Sequence, residues 1–316
     1  MRKPSRIIAL DETCWTPGFR ETHPAPRREM FDKFMKGRLS DVPEGRLKRM
    51  DEAGIDLQVL SIITPGPQML EPELSVRLSR EANDWMAGVS RSHPKRFAGF
   101  AAVPTPDPSA AVDELTRAVE ELGLKGGLIN GQTHGVYLDD ARFDPLLARF
   151  AKLRVPLYLH PADVPKPIMD TYFGGYPALA GPCWGWAIDT ATHLLRLMAS
   201  GAFDRHPDLK VIIGHMGEMI PYQLKRIDKV SQWMGGKMRP ASDYMRENVF
   251  VTTGSVFESQ PLMCAVLSLG IDNILFSIDD PIEDNHEAVE WLKRVPLSDA
   301  DQEKLAHGNT ERLLKL

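Results

Sequence analysis

The sequence predicts an α/β protein built as a closed (β/α)8 TIM barrel, and three observations carry that reading. Eight short apolar runs recur along the chain, each separated from the next by a helical pattern. Runs this apolar belong to strands buried on both faces, and their alternation with helices implies a parallel sheet. Polar residues follow most of the runs, at the C-terminal strand ends where barrel enzymes keep their chemistry. The competing doubly wound sheet would show a glycine-rich phosphate loop after its first strand. Here that position holds Asp11-Glu-Thr-Cys14.

Arg6–Leu10 is the first run and leads into Asp11 and Glu12. Residues 16–43 are rich in Pro, Arg and Glu and have weak periodicity, so they read as an irregular arm with one short helix at 28–36. A helix over 44–53 stops at Gly54, a good C-cap. Leu57–Ile62 is the second strand, followed by the breaker-rich loop Thr64-Pro-Gly-Pro-Gln68 and an amphipathic helix over 72–92. Phe97–Val103 is the third strand, and Pro104 ends it. A helix over 108–122 precedes the fourth strand, Gly126–Asn130. After a helix over 144–153 comes Val155–His160, the fifth strand, whose last residue is a histidine stopped by Pro161.

A long loop, 161–186, is dense in aromatics: Tyr172, Phe173, Tyr176, Trp184 and Trp186. A helix over 188–200 leads to the sixth strand, Lys210–His215, which again ends on a histidine. A helix over 218–233, the seventh strand Val249–Thr253, a helix over 259–269 and the eighth strand Ile274–Asp279 follow. Helices over 284–293 and 298–314 close the chain. No repeat or low-complexity segment interrupts this pattern, so residues 1–316 read as one barrel domain.

Composition bounds the function. Of 316 residues, 43% are hydrophobic and 26% charged, typical of a soluble globular protein. The net charge of -5 comes without a basic stripe, which argues against nucleic acid as a partner. Three widely spaced cysteines fit a reducing compartment. No apolar run approaches the roughly 18 residues of a membrane helix, and the N-terminal residues lack the apolar core of a signal peptide. A cytoplasmic protein without a membrane partner is the expectation.

In a barrel the residues after each strand converge on one mouth. Those positions hold Asp11 and Glu12, Thr64, Asn130, His160, His215, Thr252 and Thr253, then Asp279 and Asp280. Two histidines with acids from the first and last strands, which are neighbours in a closed barrel, predict a divalent metal site. Imidazole with carboxylate suits Zn²⁺ or Mn²⁺ best, with Mg²⁺ possible. His160 and Asp279 read as ligands, and Asp11 competes with Glu12 for the first-strand place. His215 sits in Gly214-His-Met-Gly-Glu218, where glycines allow close backbone approach and Glu218 can orient the imidazole as a general base. His193, on a helix among core residues, reads as packed. Trp184 is the loop aromatic best suited to stack on a planar ligand.

Several stretches, nearly end to end and in order, resemble the metal-dependent amidohydrolase-related decarboxylases. That group includes the γ-resorcylate, 2,3-dihydroxybenzoate and 5-carboxyvanillate decarboxylases. The stretches include Ile8-Ala-Leu-Asp-Glu12, Met50-Asp-Glu-Ala-Gly-Ile-Asp56, Leu157-Tyr-Leu-His-Pro161, Thr190-Ala-Thr-His-Leu194, Gly214-His-Met-Gly-Glu218, Phe276-Ser-Ile-Asp279 and His307-Gly-Asn-Thr-Glu-Arg-Leu313. The resemblance implies an amidohydrolase-type barrel with one divalent metal on Asp11, His160 and Asp279. It implies catalytic roles for Asp279, His215 and Glu218, a carboxylate-holding Arg226, and pocket positions for Asn130 and Thr64. It also implies a homodimer or homotetramer, with the arm as a plausible subunit contact. The chain departs from the pattern where relatives carry Glu for Asp11, some a His for Thr13, and aromatics around the proline of Asp280-Pro-Ile282.

The expected reaction is non-oxidative decarboxylation of a small ortho-hydroxy aromatic acid, with Asp279 as proton donor to the ring. A hydrolase or hydratase of a carboxylate-bearing substrate, with Asp279 as base to an activated water, is the alternative on the same scaffold.

Overall fold

The computed structural model describes residues 4–233 and 238–316. Its strands are β1 (Ile8–Cys14), β2 (Leu57–Ile62), β3 (Phe97–Gly99), β4 (Ala101–Ala102), β5 (Gly127–Asn130), β6 (Leu157–His160), β7 (Val211–Ile213), β8 (Val249–Thr252) and β9 (Ile274–Leu275). All pairings between neighbouring strands are parallel, in the order β1-β2-β3 and β4-β5-β6-β7-β8-β9. β3 and β4 are two pieces of one barrel strand broken at Phe100. The Phe100 amide still donates to the Leu60 carbonyl (2.9 Å) and the Ala101 amide to Gly126 (2.8 Å), so the ladder passes across the break. Leu10 bridges Ser277, and the Thr13 amide donates to the Asp280 carbonyl at 2.8 Å. Those contacts close the eight-stranded barrel between its first and last strands, as the alternation of strands and helices predicts.

The alternation of side chains along each strand sorts the core into two shells. Ile8, Leu10, Val59, Leu128, Tyr158, Ile212 and Leu275 fill the barrel interior. Leu313 and Leu314 of the C-terminal helix pack against the same cluster, plugging the end opposite the strand tips. The outward residues, among them Ala9, Leu60, Ile129, Leu159, Ile213 and Val251, meet the surrounding helices. No helix among the described residues is long and apolar enough to cross a membrane.

Four expectations need correction. Residues 16–43 are more ordered than an irregular arm: helices Pro17–Thr22 and Ala25–Met35 occupy most of them. The second is amphipathic enough to bury Phe31 and Met35, but its charged outer face masks the periodicity. The 161–186 loop contains a helix, Lys166–Phe173, and a 3-10 turn, Pro177–Leu179. An unexpected helix, Ala241–Glu247, precedes β8. The single last helix is three pieces, Asp299–Glu303, a π-type turn Lys304–Gly308 and Asn309–Leu314. Residues 234–237, at the end of the helix expected over 218–233, lie outside the described residues.

Candidate active site

At the tip of β1 the pairing register with β2 slips between Leu10 and Glu12, and Asp11 takes a φ of +75°. A bulge of this kind re-aims a side chain. Asp11 is thereby turned to the barrel axis, where its Oδ2 accepts from the Tyr158 hydroxyl at 2.5 Å. Glu12 points the opposite way. Its carboxylate accepts from the Ile278 and Asp280 amides at 3.1 and 2.9 Å. Of the two acids at this strand end, Asp11 is the one that faces the mouth.

Asp279 repeats the device after β9, with a φ of +78°. Its Oδ2 accepts from the Ser255 hydroxyl at 2.9 Å. A glycine precedes Ser255 because the chain crowds here: a Cβ on Gly254 would lie 2.6 Å from Ser277 Oγ.

His160 ends β6 two residues after Tyr158, so both point inward. Its Nδ1 donates to the Pro161 carbonyl (2.8 Å), which leaves Nε2 as a lone-pair donor 3.7 Å from Asp11 Oδ1. Trp186 packs edge-on against its ring at 6.4 Å.

After β7 the residues from His215 to Met219 all take left-handed φ, between +49° and +82°. That coil folds Glu218 back onto His215, so Glu218 Oε1 meets His215 Nδ1 at 2.6 Å. His215 Nε2 then faces Asp279 Oδ2 at 4.0 Å. Burial alone would lower the His215 pKa, but Glu218 and Asp279 outweigh it and raise it well above the ordinary value. Burial, with Asp279 adding repulsion, raises Asp11, although His160 opposes.

Two atoms in this group have no hydrogen-bond partner although they are buried: Asp11 Oδ1 and Asp279 Oδ1. Unpaired carboxylate oxygens out of water are costly unless a cation meets them. With the free His160 Nε2 they form an oxygen–nitrogen donor set that fits a divalent ion such as Zn²⁺ or Mn²⁺. The donors stand apart, and among the described residues no three His, Cys, Asp or Glu side chains are already drawn together at ligand spacing.

A cavity of about 760 Å³ opens above these groups. Thr64, His160, His215, Glu218, Asp279 and Trp184 line it, as the sequence predicts for mouth residues. Asn130 does not. It is buried beneath the loop, where its backbone amide donates to Gln68 Oε1 at 3.1 Å and its side-chain amide donates to the Ile62 carbonyl at 3.4 Å. It supports the turn at Gly66, where the backbone runs at φ +58°. Arg226 also does not line the cavity of its own chain. It is exposed on the helix Ile220–Trp233, which rises outside the barrel and turns that position to solvent.

Sequence reasoning missed Tyr158, although its two-residue spacing from His160 puts both on one face. It also missed Ser255 and Glu283, and the arm residues Met30, Phe31, Phe34 and Met35, which wall one side of the cavity. Burial raises the Glu283 carboxyl, with nearby Asp279 and Glu287 adding to the rise and Ser255 opposing it. The arm is pinned by His23, packed on Trp15 and Phe31, with its ring against the Phe19 and Thr64 carbonyls at 3.0 and 3.3 Å.

Behind the site lies a buried charge cluster. Arg46 is fully buried and pairs with Asp280 at 3.2 Å, while donating to the Thr13 carbonyl at 2.6 Å. Burial and Asp280 push the Glu12 carboxyl well up, and Arg46 opposes them.

The amidohydrolase family model matches residues 22–316. The γ-resorcylate decarboxylase of Rhizobium sp. (strain MTP-10005) is 41% identical over 296 residues, 90% of each chain. The dihydroxybenzoic acid decarboxylase of Polaromonas sp. JS666, solved with manganese and the inhibitor 2-nitroresorcinol, superposes with a TM-score of 0.91 at 38% identity, covering 98% of this chain and 97% of that one. The 5-carboxyvanillate decarboxylase of Sphingomonas paucimobilis gives 0.92 at 33%, covering 98% and 99%.

Proposed function

The chain belongs to the amidohydrolase family, and from that membership we propose that it is a metal-dependent, non-oxidative decarboxylase of an ortho-hydroxy aromatic carboxylic acid. The observation that carries the reading is the meeting of His215 Nε2 with Asp279 Oδ2, 4.0 Å apart, beside the partnerless oxygens of Asp11 and Asp279. A proton donor and a cation-binding set thus share one end of an apolar cavity.

Asp11, His160 and Asp279 would hold the ion, and manganese in the Polaromonas relative favours Mn²⁺, with Zn²⁺ and then Mg²⁺ as the other candidates. When bound, the ion supplies a template and charge stabilisation for the carboxylate and the neighbouring phenolate oxygen. Among the described residues no Lys or Arg lines the cavity, so His215 is the side-chain cation available to the substrate. Glu218 keeps that imidazole oriented and charged, which suits it to donate a hydrogen bond to the ionised ortho-hydroxyl oxygen. Asp279 would take up a proton from solvent as substrate binds and pass it to the ring carbon that bears the carboxylate. The bond from that carbon to the carboxylate then breaks, CO₂ leaves, and the electron pair restores the aromatic ring. Trp184 and Thr64, at the rim and floor, would orient the ring.

Cytoplasmic residence and a homodimer or homotetramer belong to the same proposal. The support for self-association is an exposed stripe on one helix face, Tyr222, Val230 and Trp233, with Arg226 between them.

The test is a proton NMR time course on protein supplied with Mn²⁺, against a panel of ortho-hydroxybenzoates, lactones and unsaturated diacids. A new ring C–H signal with release of CO₂, stopped by chelator, is the expected result. Ring opening or addition of water would overturn it.

A further inference from the structure

The reacting groups, with Thr13, Thr64, Ser255 and Glu283, make the polar part of the cavity, and most of the other lining side chains are apolar. Its outer walls come from five separate segments: Met30 and Phe34 on the arm helix, Trp184 after β6, Met219 after β7, Val256 after β8 and Ile282 after β9. Four of these are large and exposed: Met30 at 55%, Phe34 at 68%, Trp184 at 46% and Met219 at 38%. Apolar side chains left open to water and turned onto one concavity mark a binding surface. At about 30 Å³ per liquid water, the 760 Å³ holds roughly twenty-five waters, far more than a single hydroxylated benzoate displaces.

We propose that the substrate of this enzyme carries an extended apolar substituent, an alkyl chain or second ring, at the ring position opposite its carboxylate, and that this substituent lies between the arm helix and the loops carrying Trp184, Met219 and Ile282. This rests on the decarboxylase reading, which sets the orientation. The carboxyl-bearing carbon must sit by Asp279, at the polar end, so the opposite ring carbon faces the mouth. The thioethers of Met30 and Met219 are flexible and adapt to a chain of variable shape. The walls converge from different strands on a concave space continuous with the reacting groups, whereas a contact for a second copy presents one face.

The test compares resorcinol with 5-alkylresorcinols from methyl to pentyl, which are the products expected from 4-alkyl-2,6-dihydroxybenzoates. Binding to the Mn²⁺-supplied protein is read by titration calorimetry, and kcat/KM is read on the matching acids. Affinity should tighten about fourfold per added methylene, and Phe34→Asp and Ile282→Asp should each flatten that slope. Affinity that is flat or falls with chain length overturns the proposal. So does a flat slope with a mouth closed by a second copy, seen as a Phe34→Asp protein that loses its oligomer in sedimentation. A rising slope without decarboxylation of any acid upholds the apolar subsite and removes the reaction instead.

Discussion

Asp11 and Asp279 are mirrored in their construction: each takes a left-handed φ, +75° and +78°, and each is followed by an acid facing away from the mouth. The backward-facing acids, Glu12 and Asp280, are joined through the Asp280 amide, which donates to Glu12 at 2.9 Å. Arg46 supplies the cation for both, bonding Asp280 directly and the Thr13 carbonyl beside Glu12. One arginine therefore ties together the two strand ends that close the barrel and present the acids.

Arg46→Met removes the buried cation closest to Asp280 and Glu12, leaving Arg49 Nε at 3.9 Å from Asp280 Oδ1. Breaking a buried pair from one side costs about 3–5 kcal/mol. Urea unfolding should show a loss of that order, and Arg46→Met with Asp280→Asn should recover part of it. A single variant as stable as the parent would contradict the role of Arg46.

Tyr158→Phe removes the donor to Asp11 Oδ2 and changes little volume. Partners that orient a metal ligand typically contribute 10- to 100-fold in metal affinity. Mn²⁺ titration should show a loss in that range, with a lower melting temperature for the metal-free variant because Asp11 Oδ2 is left buried without its donor. Unchanged Mn²⁺ affinity would separate Asp11 from the ion.

The barrel was legible because its strands are continuous apolar runs and its polar residues stand where those runs stop. His160, His215, Glu218 and Asp279 could be picked out for the same reason. Arg46 could not. Its helix reads as a charged surface segment, and its partner Asp280 lies 234 residues away on the far side of the closing seam. The arm is hard to read because the helix Ala25–Met35 begins among prolines and buries only two of its apolar residues, Phe31 and Met35. Arg226 was placed from resemblance, and the fold turns it to solvent.

His193 gives a pH dependence that can be checked apart from catalysis. Burial pushes its pKa from 6.5 down to about 3, and its Nε2 accepts from the Leu138 amide at 2.9 Å. The unfolded chain takes up a proton near pH 6.5, while the folded chain stays neutral. Its contribution to stability is complete above that pH and is lost as pH falls towards 3. Between pH 6.5 and 5 the loss is about 2 kcal/mol. In His193→Gln that part of the acid sensitivity should vanish, so melting curves of parent and variant should converge as pH drops. Parallel curves would contradict a buried neutral imidazole.

Glu218→Gln should lower kcat about 100-fold with a smaller change in KM, since His215 loses the charge that holds its proton. A pH–rate profile should show the His215 limb moved to lower pH. An unmoved limb would assign it to another group.

The most direct measurement is turnover in D₂O of 2,6-dihydroxybenzoate and its 4-alkyl relatives by the Mn²⁺-supplied protein. The account predicts a resorcinol product with one deuterium between its two hydroxyls, formed about a thousandfold more slowly by Asp279→Asn. A ring-opened or hydrated product, or an Asp279→Asn protein that matches the parent rate, would contradict it.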